Sequence, residues 1–554
     1  MNPKRFPVIL MLALLLAQTA CAAKPATFPS RTAATQPPDL IYAPAATQAP
    51  ALAYAPTANL FPMGQANAVG SLPLASGPYP TQTAAGMSSQ KGLNNRVTYD
   101  TFFQNYGVNP RIDTEDDNLS TFALDVDTGS YTIMRSYVND GSLPPEDSVR
   151  VEEYVNYFDQ GYPTPPEGQA FGISIDGAPS PFGENDNYRL VRIGIQGYAV
   201  PAEERLPVAL TFVIDVSGSM NMDNRLGLVK RSLELLTRQL GPQDQVSIVV
   251  FGTTAEVVLE PTRGDRTQSI LHAIYSLHPG GVTNAEAGLL LGYQMADEAF
   301  NPEGLNRVIL CSDGVANLGE TGAGSIWDEV KRYAGRKITL TTVGFGMDNY
   351  NDVLMEQLAD NGNGFYAYVD EIQEARRIFT QNLTSTLQVI AMDAKVQVDF
   401  NPEVVSRYRL IGFENRALAD QDFRNDKVGA GEIGAGNSVT ALYEIKLNPE
   451  AYGKIATVSL RWKNPESGMP IETSRDFYSD QLAHNFQSAN PHFQWSAVVA
   501  EYAEVLRHSY WAQNVSLSDV QAQAERVGRR LPEDATVAEF LGLLQRTGEL
   551  EDEY

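Results

Sequence analysis

The most constraining feature of this chain is a regular alternation of predicted strands and helices between residues 206 and 390. Apolar runs predict five strands, at 208–215, 245–251, 307–312, 338–345 and 365–369. Helical spacing predicts one helix carrying Leu226, Val229, Leu233, Leu236 and Leu240, and a closing helix carrying Ile372, Ala375, Phe379, Leu383 and Leu387. The alternation predicts an α/β fold with a doubly wound, mainly parallel sheet, which binds ligands at the carboxyl ends of its strands.

Segments of period-two alternation flank this region on both sides. Before it, strands are predicted at 121–127, 171–176 and 188–195, with a short helix at 149–158. After it, strands are predicted at 394–400, 408–413, 438–447 and 455–462. Three helices follow, carrying Trp495, Val498, Tyr502 and Val505, then Val520, Ala524, Val527 and Leu531, then residues 537–544.

These patterns predict three folded regions. We expect a β-rich region at 96–205, the α/β domain at 206–390, and a β-rich and then helical region at 391–554. Our hypothesis is that the two flanks pair into one β-sandwich, into which the α/β domain is inserted.

Residues 1–22 have the pattern of an export signal, with two basic residues, an apolar run at 8–17 that is too short to span a membrane, and then small residues. Cys21 lies where a bacterial lipoprotein carries the cysteine that becomes its lipidated N-terminus, although Gln18 replaces the usual leucine. Ordinary cleavage after Ala22 is the alternative. The first route predicts a membrane-anchored lipoprotein of the cell envelope, and the second a secreted protein.

The composition of the chain limits the kinds of partner that we expect. Residues 23–95 are rich in Ala, Pro, Thr and Gln and predict a disordered tether. The formal net charge of −26 argues against nucleic acid as a partner and fits a protein that concentrates divalent cations near its surface. The only two cysteines, Cys21 and Cys311, cannot supply a disulfide framework, and Cys311 lies in an apolar strand where we expect it to be buried.

Five oxygen-bearing side chains follow strand ends or lie in a loop of the α/β region. Asp215, Ser217 and Ser219 follow the first strand, Thr283 lies in the loop Gly-Gly-Val-Thr-Asn, and Asp313 follows the third strand. Two carboxylates and three hydroxyls at one sheet edge form a hard oxygen site suited to Mg²⁺. Because neutral hydroxyls offset little of the ion's charge, we expect such an ion to accept a carboxylate from a partner.

This set of residues resembles the metal-ion-dependent adhesion site of von Willebrand factor type A domains. All five positions are present in the family's order and in matching strand and loop contexts. The resemblance implies that Ser217, Ser219 and Thr283 contact the ion directly, and that Asp215 and Asp313 act mainly through water. It also implies a Mg²⁺, Mn²⁺ or Ca²⁺ ion and a closing helix that shifts when ligand binds.

The flanks resemble a bacterial envelope family that carries this domain. The resemblance rests on residues 122–131, 149–158 and 428–444 and covers roughly residues 95–550. One departure is Gly129, where we expect alanine. The family is known by its architecture, so the resemblance implies little about a reaction.

Several short motifs have simpler explanations than their usual functions. Asp127-Thr-Gly-Ser130 spells the aspartic-protease motif, but no second copy is present to supply the paired carboxylate. We expect a structural acidic turn there, with a second cation between Asp125 and Asp127 as the alternative. Residues 429–434 satisfy GxGxxG but precede a strand, which favours a flexible glycine turn over a dinucleotide site. Residues 263–265 spell Arg-Gly-Asp, which we interpret as a charged hairpin or loop.

Two further residues are candidate neighbours of the ion. His278 precedes the loop that carries Thr283, and Glu286 follows it. A surface or packing role is the simpler interpretation of His278.

The favoured function is metal-dependent protein binding in the bacterial cell envelope, without catalysis. The expected partner is a protein that presents an Asp or Glu; lipidation of Cys21 would add the membrane. The alternatives are a metal-assisted hydrolase, or a subunit of an envelope enzyme or assembly complex, and a structural envelope scaffold. A hydrolase needs a positioned base and an enclosed pocket, neither of which the sequence shows clearly.

Overall fold

Three β-sheets organise the part of the chain that the computed structural model describes, which is residues 101–183, 187–314, 323–347 and 350–552. All of these residues belong to one unit, Ser89–Tyr554. The predicted signal peptide with Cys21 and the predicted tether at 23–95 lie outside the described residues.

The N-terminal flank contributes four strands and two helices. They are β1 (Ile112–Asp113), β2 (Leu119–Ala123), α1 (Gly129–Asn139), α2 (Val151–Asn156), β3 (Phe171–Pro179) and β4 (Tyr188–Gly197). The strand expected at 121–127 is therefore wrong beyond Ala123, and α1 was not predicted from the sequence. Helix α1 is almost entirely buried, and its polar side chains Ser130, Thr132 and Arg135 are buried with the apolar ones.

The central region alternates strand and helix as predicted. Its first elements are β5 (Val208–Asp215), α3 (Arg225–Thr237), β6 (Gln245–Phe251), β7 (Ala255–Arg263), α4 (Thr267–Ser276) and α5 (Ala285–Glu298). Its later elements are β8 (Leu305–Ser312), α6 (Ala323–Ala334), β9 (Ile338–Gly344), α7 (Asp352–Asn361), β10 (Tyr366–Tyr368), α8 (Ile372–Arg376) and α9 (Leu383–Leu387).

The central strands form one sheet in the order β10-β9-β8-β5-β6-β7. Every neighbouring pair is parallel except β6 with β7. The doubly wound, mainly parallel α/β fold is thereby confirmed. The predicted closing helix is not continuous, since a π-helical turn (Arg377–Gln381) separates α8 from α9. Within it the amide of Asn382 donates to the carbonyl of Arg377 at 2.8 Å, five residues earlier.

The C-terminal flank contributes the remaining strands and helices. They are β11 (Val389–Phe400), β12 (Val405–Ile411), β13 (Gly431–Gly434), β14 (Ser438–Leu447), β15 (Lys454–Lys463), β16 (Pro470–Tyr478), α10 (Pro491–Leu506), α11 (Leu517–Gly528) and α12 (Ala535–Asp552). The glycine turn expected at 429–434 is wrong in part, because β13 pairs with β11. No helix in the described ranges is long and apolar enough to cross a bilayer.

The two flanks share their sheets. One sheet has the order β1-β12-β14-β4-β3, so the C-terminal strand β14 lies between β12 and the N-terminal strand β4. The other has the order β13-β11-β15-β16, and the N-terminal β2 also pairs with β11. Residues of both sheets, including Phe122, Ile193, Val396 and Tyr443, form one buried cluster. The hypothesis of a sandwich built from both flanks, with the α/β domain inserted, is confirmed.

Candidate metal centre

Strand β5 delivers Asp215 to the carboxyl edge of the central sheet. All eight residues of β5 are buried, which explains its uninterrupted apolar sequence and leaves the polar Asp215 at its end. Oδ1 of Asp215 accepts a hydrogen bond from the backbone amide of Ser217 at 2.8 Å. Oδ2 accepts from Oγ of Ser312, the last residue of β8, also at 2.8 Å. Asp215 is therefore oriented by its own loop and by the neighbouring strand.

The loop after β5 brings two hydroxyls together. Ser217 precedes a 3₁₀ turn (Gly218–Asn224), and its Oγ lies 3.0 Å from Oγ of Ser219. Ser217 is buried and Ser219 is half-buried. The pair thus lies at the boundary between the protein interior and solvent.

A glycine-rich loop places Thr283 beside this turn. The amide of Gly218 donates to the carbonyl of Gly281 at 3.1 Å, and the amide of Gly280 donates to the carbonyl of Val216 at 2.6 Å. Gly281 has a φ of 92°, a left-handed conformation that favours glycine. Thr283 itself is half-buried. The two backbone bonds tie the loop that carries Thr283 to the loop that carries the serines.

Asp313 approaches the same site from the end of β8. Its Oδ2 accepts a hydrogen bond from Nη1 of Arg225 at 2.7 Å. Burial raises the pKa of the Asp313 carboxyl, and hydrogen bonds from Ser219 and Arg225 oppose that rise. The effect of Ser219 on this pKa indicates that Asp313 lies near the serine pair.

The two carboxylates of the site also influence each other. Burial, with a smaller contribution from the charge of Asp313, raises the pKa of Asp215 to about 6. Hydrogen bonds from Ser217 and Ser312 act in the opposite direction. A cation bound between these two carboxylates would reduce their mutual repulsion.

The hydroxyl spacing fits a small octahedral ion. Neighbouring oxygen ligands of an ion with bonds of about 2.1 Å are about 3.0 Å apart. The Oγ atoms of Ser217 and Ser219 have this separation. The oxygens available to an ion are the Ser217 and Ser219 hydroxyls, the Thr283 hydroxyl and the Asp215 and Asp313 carboxylates. No group of three or more His, Cys, Asp or Glu side chains in the described ranges could hold a metal, so the hydroxyls are essential to this donor set.

The structure places the other candidate residues as follows. His278 is exposed just after α4, and Glu286 is half-buried in the first turn of α5. Their proximity to an ion stays a prediction. Cys311 is buried and is a free thiol, as expected.

The structure favours the expected acidic turn over the alternative of a second cation between Asp125 and Asp127. A protein cation is already there, since Nε of Arg416 lies 2.9 Å from Asp125 and Nη2 of Arg416 lies 3.7 Å from Asp127. Asp127 also accepts from the amide of Tyr366 at 3.1 Å. The Asp-Thr-Gly-Ser motif thus forms a structural acidic turn.

Two residues of the site were missed by sequence reasoning. Ser312 orients Asp215. The only feature of the sequence that could have pointed to Ser312 is its position directly before Asp313. Arg225 pairs with Asp313, which lies 88 residues further along the sequence, and no local sequence pattern predicts such a contact.

The fold and the strand-end oxygens define a protein built around a von Willebrand factor type A domain. Residues 209–381 match the model of that domain, and residues 97–192 match a model described as von Willebrand factor. Residues 385–550 match the model described as "Uncharacterized protein YfbK, C-terminal". The chain is 34% identical over 469 residues to the YfbK protein of Escherichia coli (strain K12), with 80% of each chain covered. The chain belongs to the YfbK family of von Willebrand factor type A proteins.

More distant similarities involve smaller parts of the chain or weaker superposition. Human inter-alpha-trypsin inhibitor heavy chain H3 is 31% identical over 195 residues, which cover 33% of this chain and 22% of that protein. The solved structure of a von Willebrand factor type A protein from Catenulispora acidiphila superposes with a TM-score of 0.40 at 16% identity, covering 67% of this chain and 89% of that one. The domain class commonly mediates metal-dependent protein interactions.

Proposed function

We propose that this protein binds a divalent cation through Asp215, Ser217, Ser219, Thr283 and Asp313, and that the cation binds an acidic side chain of a partner protein. The observation that carries the proposal is the 3.0 Å separation of the Ser217 and Ser219 hydroxyls beside the buried Asp215. The cation would be Mg²⁺, with Mn²⁺ and Ca²⁺ as alternatives. We propose no catalytic role for the site.

The surroundings of the site suit a macromolecular partner. Gly218, Gly280 and Gly281 are exposed around it, and Val282 is 67% exposed. A glycine-lined opening lets a side chain of another protein approach the half-buried Ser219 and Thr283. A carboxylate from that protein would supply the charge that the three neutral hydroxyls do not.

We also propose that the protein acts in the cell envelope. The proposal is supported by the export signal predicted at 1–22 and by Cys21, whose lipidation would anchor the protein to a membrane.

The first experiment measures cation binding. Mg²⁺ is titrated into the full chain by calorimetry, and the melting temperature is recorded with and without Mg²⁺. Wild type is expected to bind and to be stabilised by Mg²⁺, because a ligand that binds only the native state raises its stability. Asp215→Ala is expected to lose both effects. Asp265→Ala removes an exposed carboxylate from a turn and should behave as wild type.

The second experiment measures partner binding. Envelope extract is passed over wild type and over Asp215→Ala, each in Mg²⁺ and in EDTA, with Asp265→Ala as the control. Proteins retained by wild type and by the control only in Mg²⁺ support the proposal. Retention of the same proteins by Asp215→Ala in Mg²⁺, or by wild type in EDTA, contradicts it, provided that the variant keeps its native circular dichroism spectrum.

A further inference from the structure

One buried arginine differs from all the others in the described part of the chain. Seven arginine side chains are buried there, and six of these lie within 4.0 Å of a carboxylate. These six are Arg135, Arg150, Arg192, Arg225, Arg409 and Arg507. The seventh is Arg307 on β8, and no carboxylate of a described residue lies within that distance of its guanidinium. A buried charge without a counterion is costly, so its persistence calls for an explanation.

The hydrogen bonds of Arg307 go to neutral groups. Its Nη1 donates to Oγ1 of Thr341 at 3.0 Å and to the carbonyl of Thr386 at 2.5 Å, and its Nη2 donates to the carbonyl of Leu387 at 3.4 Å. These bonds orient the guanidinium against the end of α9. They do not neutralise it, and burial lowers the pKa of Arg307 to about 10.

Arg307 lines a cavity of about 520 Å³ between the central sheet and the sandwich. Its walls are more apolar than polar, and the apolar part includes Leu206, Ile390, Met392, Trp462 and Ile471. Leu206 and Ile471 are each 40% exposed, which leaves apolar surface open to an entering molecule. A largely apolar cavity with a few polar groups is the usual form of a small-molecule site.

A second polar group of the cavity is the carboxyl of Glu432 on β13. Burial, followed by the charge of Asp393, raises the pKa of Glu432 well above its ordinary value. In its protonated form the Glu432 carboxyl can donate a hydrogen bond to a ligand. Only its ionised form would attract Arg307, and it does not lie within 4.0 Å of the guanidinium.

The rim of the cavity restricts the charge of a ligand. Lys337 lines it, but so do the exposed Glu303 and Glu466. Two acidic side chains repel a polyanion more than a singly charged molecule. The counterion that best fits Arg307 therefore carries one negative charge.

We propose that this cavity binds an apolar molecule that ends in a single carboxylate. The carboxylate accepts hydrogen bonds from the guanidinium of Arg307 and from the carboxyl of Glu432. The hydrocarbon part packs against Trp462, Ile390 and Ile471. The ligand thereby supplies the counterion that the protein lacks, at a site separate from the proposed cation site.

The test uses the full chain and two probes with this chemistry. Octanoate represents a fatty acid, and acetylated trileucine with a free carboxyl represents a peptide C-terminus. Octan-1-ol and the amidated peptide are the matched uncharged controls. Calorimetry at pH 7 is expected to show binding of at least one carboxylate probe, and about 10- to 100-fold weaker binding of its uncharged control, as expected for loss of a hydrogen bond to a charged group.

Variants locate the binding. Arg307→Gln is expected to weaken binding of the carboxylate probe to the level of its uncharged control, whereas Arg332→Gln, at an exposed arginine of α6, leaves it unchanged. Glu432→Gln retains a donor and is expected to keep the affinity within about threefold. Ile471→Trp at the cavity is expected to weaken binding, whereas Thr473→Trp, on the same face of β16, should not.

Two results would overturn the proposal. One is that neither carboxylate probe binds more tightly than its uncharged control, which would make Arg307 a purely structural cap for the carbonyls of α9. The other is that Ile471→Trp leaves binding unchanged, which places the probe elsewhere even if Arg307→Gln fails to fold. The identity of the probe that binds tells a fatty acid from a peptide terminus.

Discussion

The guanidinium of Arg225 lies against the carboxylate of Asp313, with Nη1 and Oδ2 2.7 Å apart, and both side chains are buried. One carboxylate of the proposed cation site is thus already paired with a cation of the protein. Asp313 therefore brings less free negative charge to the site than its residue type suggests. This pairing agrees with the indirect role that the resemblance assigns to Asp313.

Replacement of Arg225 is expected to have opposite effects on stability and on the response to cation. Arg225→Met leaves the buried Asp313 without its counterion, which should lower the free energy of unfolding by about 3–5 kcal/mol without Mg²⁺. Because a bound ion would then neutralise Asp313, Mg²⁺ should stabilise the variant more than wild type. Urea unfolding with and without Mg²⁺ measures both effects. Arg231→Met, at an exposed position of α3, is the control, and an equal response of variant and wild type to Mg²⁺ would contradict the prediction.

Arg135 joins both flanks to the α/β domain. From α1 it donates to Asp370, just before α8, at 2.6 and 2.7 Å, and to Glu539 of α12 at 3.2 Å. Arg135→Met should destabilise the protein by about 3–5 kcal/mol, because it leaves Asp370 buried without its partner. Arg336→Met, which breaks a surface pair with Asp297, should cost less than about 1 kcal/mol. Urea unfolding of the two variants measures the two losses of stability. Similar losses would show that Arg135 does not hold the flanks and the α/β domain together.

Stability is expected to fall as the pH rises through the range in which Glu152 ionises. Oε2 of Glu152 accepts from the amide of Phe413 at 2.9 Å, and Oε1 has no hydrogen-bond partner among the described residues. Burial, followed by the charge of Glu414, raises the pKa of Glu152 to about 7. Between pH 4.5, its ordinary pKa, and pH 7 the native state binds more protons than the unfolded chain. The contribution of Glu152 to the free energy of unfolding therefore decreases with rising pH over that range.

Glu152→Gln isolates this contribution. The variant is expected to lose a pH dependence of at most about 3 kcal/mol between pH 4.5 and 7, because glutamine cannot ionise. Urea unfolding at several pH values measures the slope, with the exposed Glu203→Gln as the control. An unchanged slope in Glu152→Gln would assign the pH dependence to other groups.

The structure explains why position 129 departs from the expected alanine. A Cβ added to Gly129 would lie 2.5 Å from Cε1 of Tyr366. Tyr366 cannot easily move, because its hydroxyl donates to Asp352 at 2.8 Å and accepts from Tyr350 at 2.9 Å. Gly129→Ala should therefore destabilise the protein by about 1–3 kcal/mol. Gly542→Ala in α12, where the added Cβ meets nothing within 4 Å, should instead stabilise it by up to about 1 kcal/mol. Thermal unfolding of both variants tests the contrast.

The buried strands were the most predictable elements. The strands predicted at 208–215, 245–251 and 438–447 have the same bounds in the structure. Both faces of β5 are covered, so its sequence is an apolar run with a clear end. The edge strands β7 and β16 were missed, because β7 is mostly half-buried, β16 is almost entirely exposed, and both mix polar with apolar residues.

The amino-acid sequence alone determined the strand-helix alternation, the sandwich flanks and the order of Asp215, Ser217, Ser219, Thr283 and Asp313, because these follow from local polarity and spacing. Tertiary structure alone decided the pairing of Arg225 with Asp313, the position of Arg416 beside Asp125, and the distance of more than 4.0 Å between Arg307 and every carboxylate of the described residues. These contacts join residues that are far apart in sequence. The electrostatic potential at a buried charge depends on which distant segments of the chain surround it. Local patterns cannot encode that arrangement.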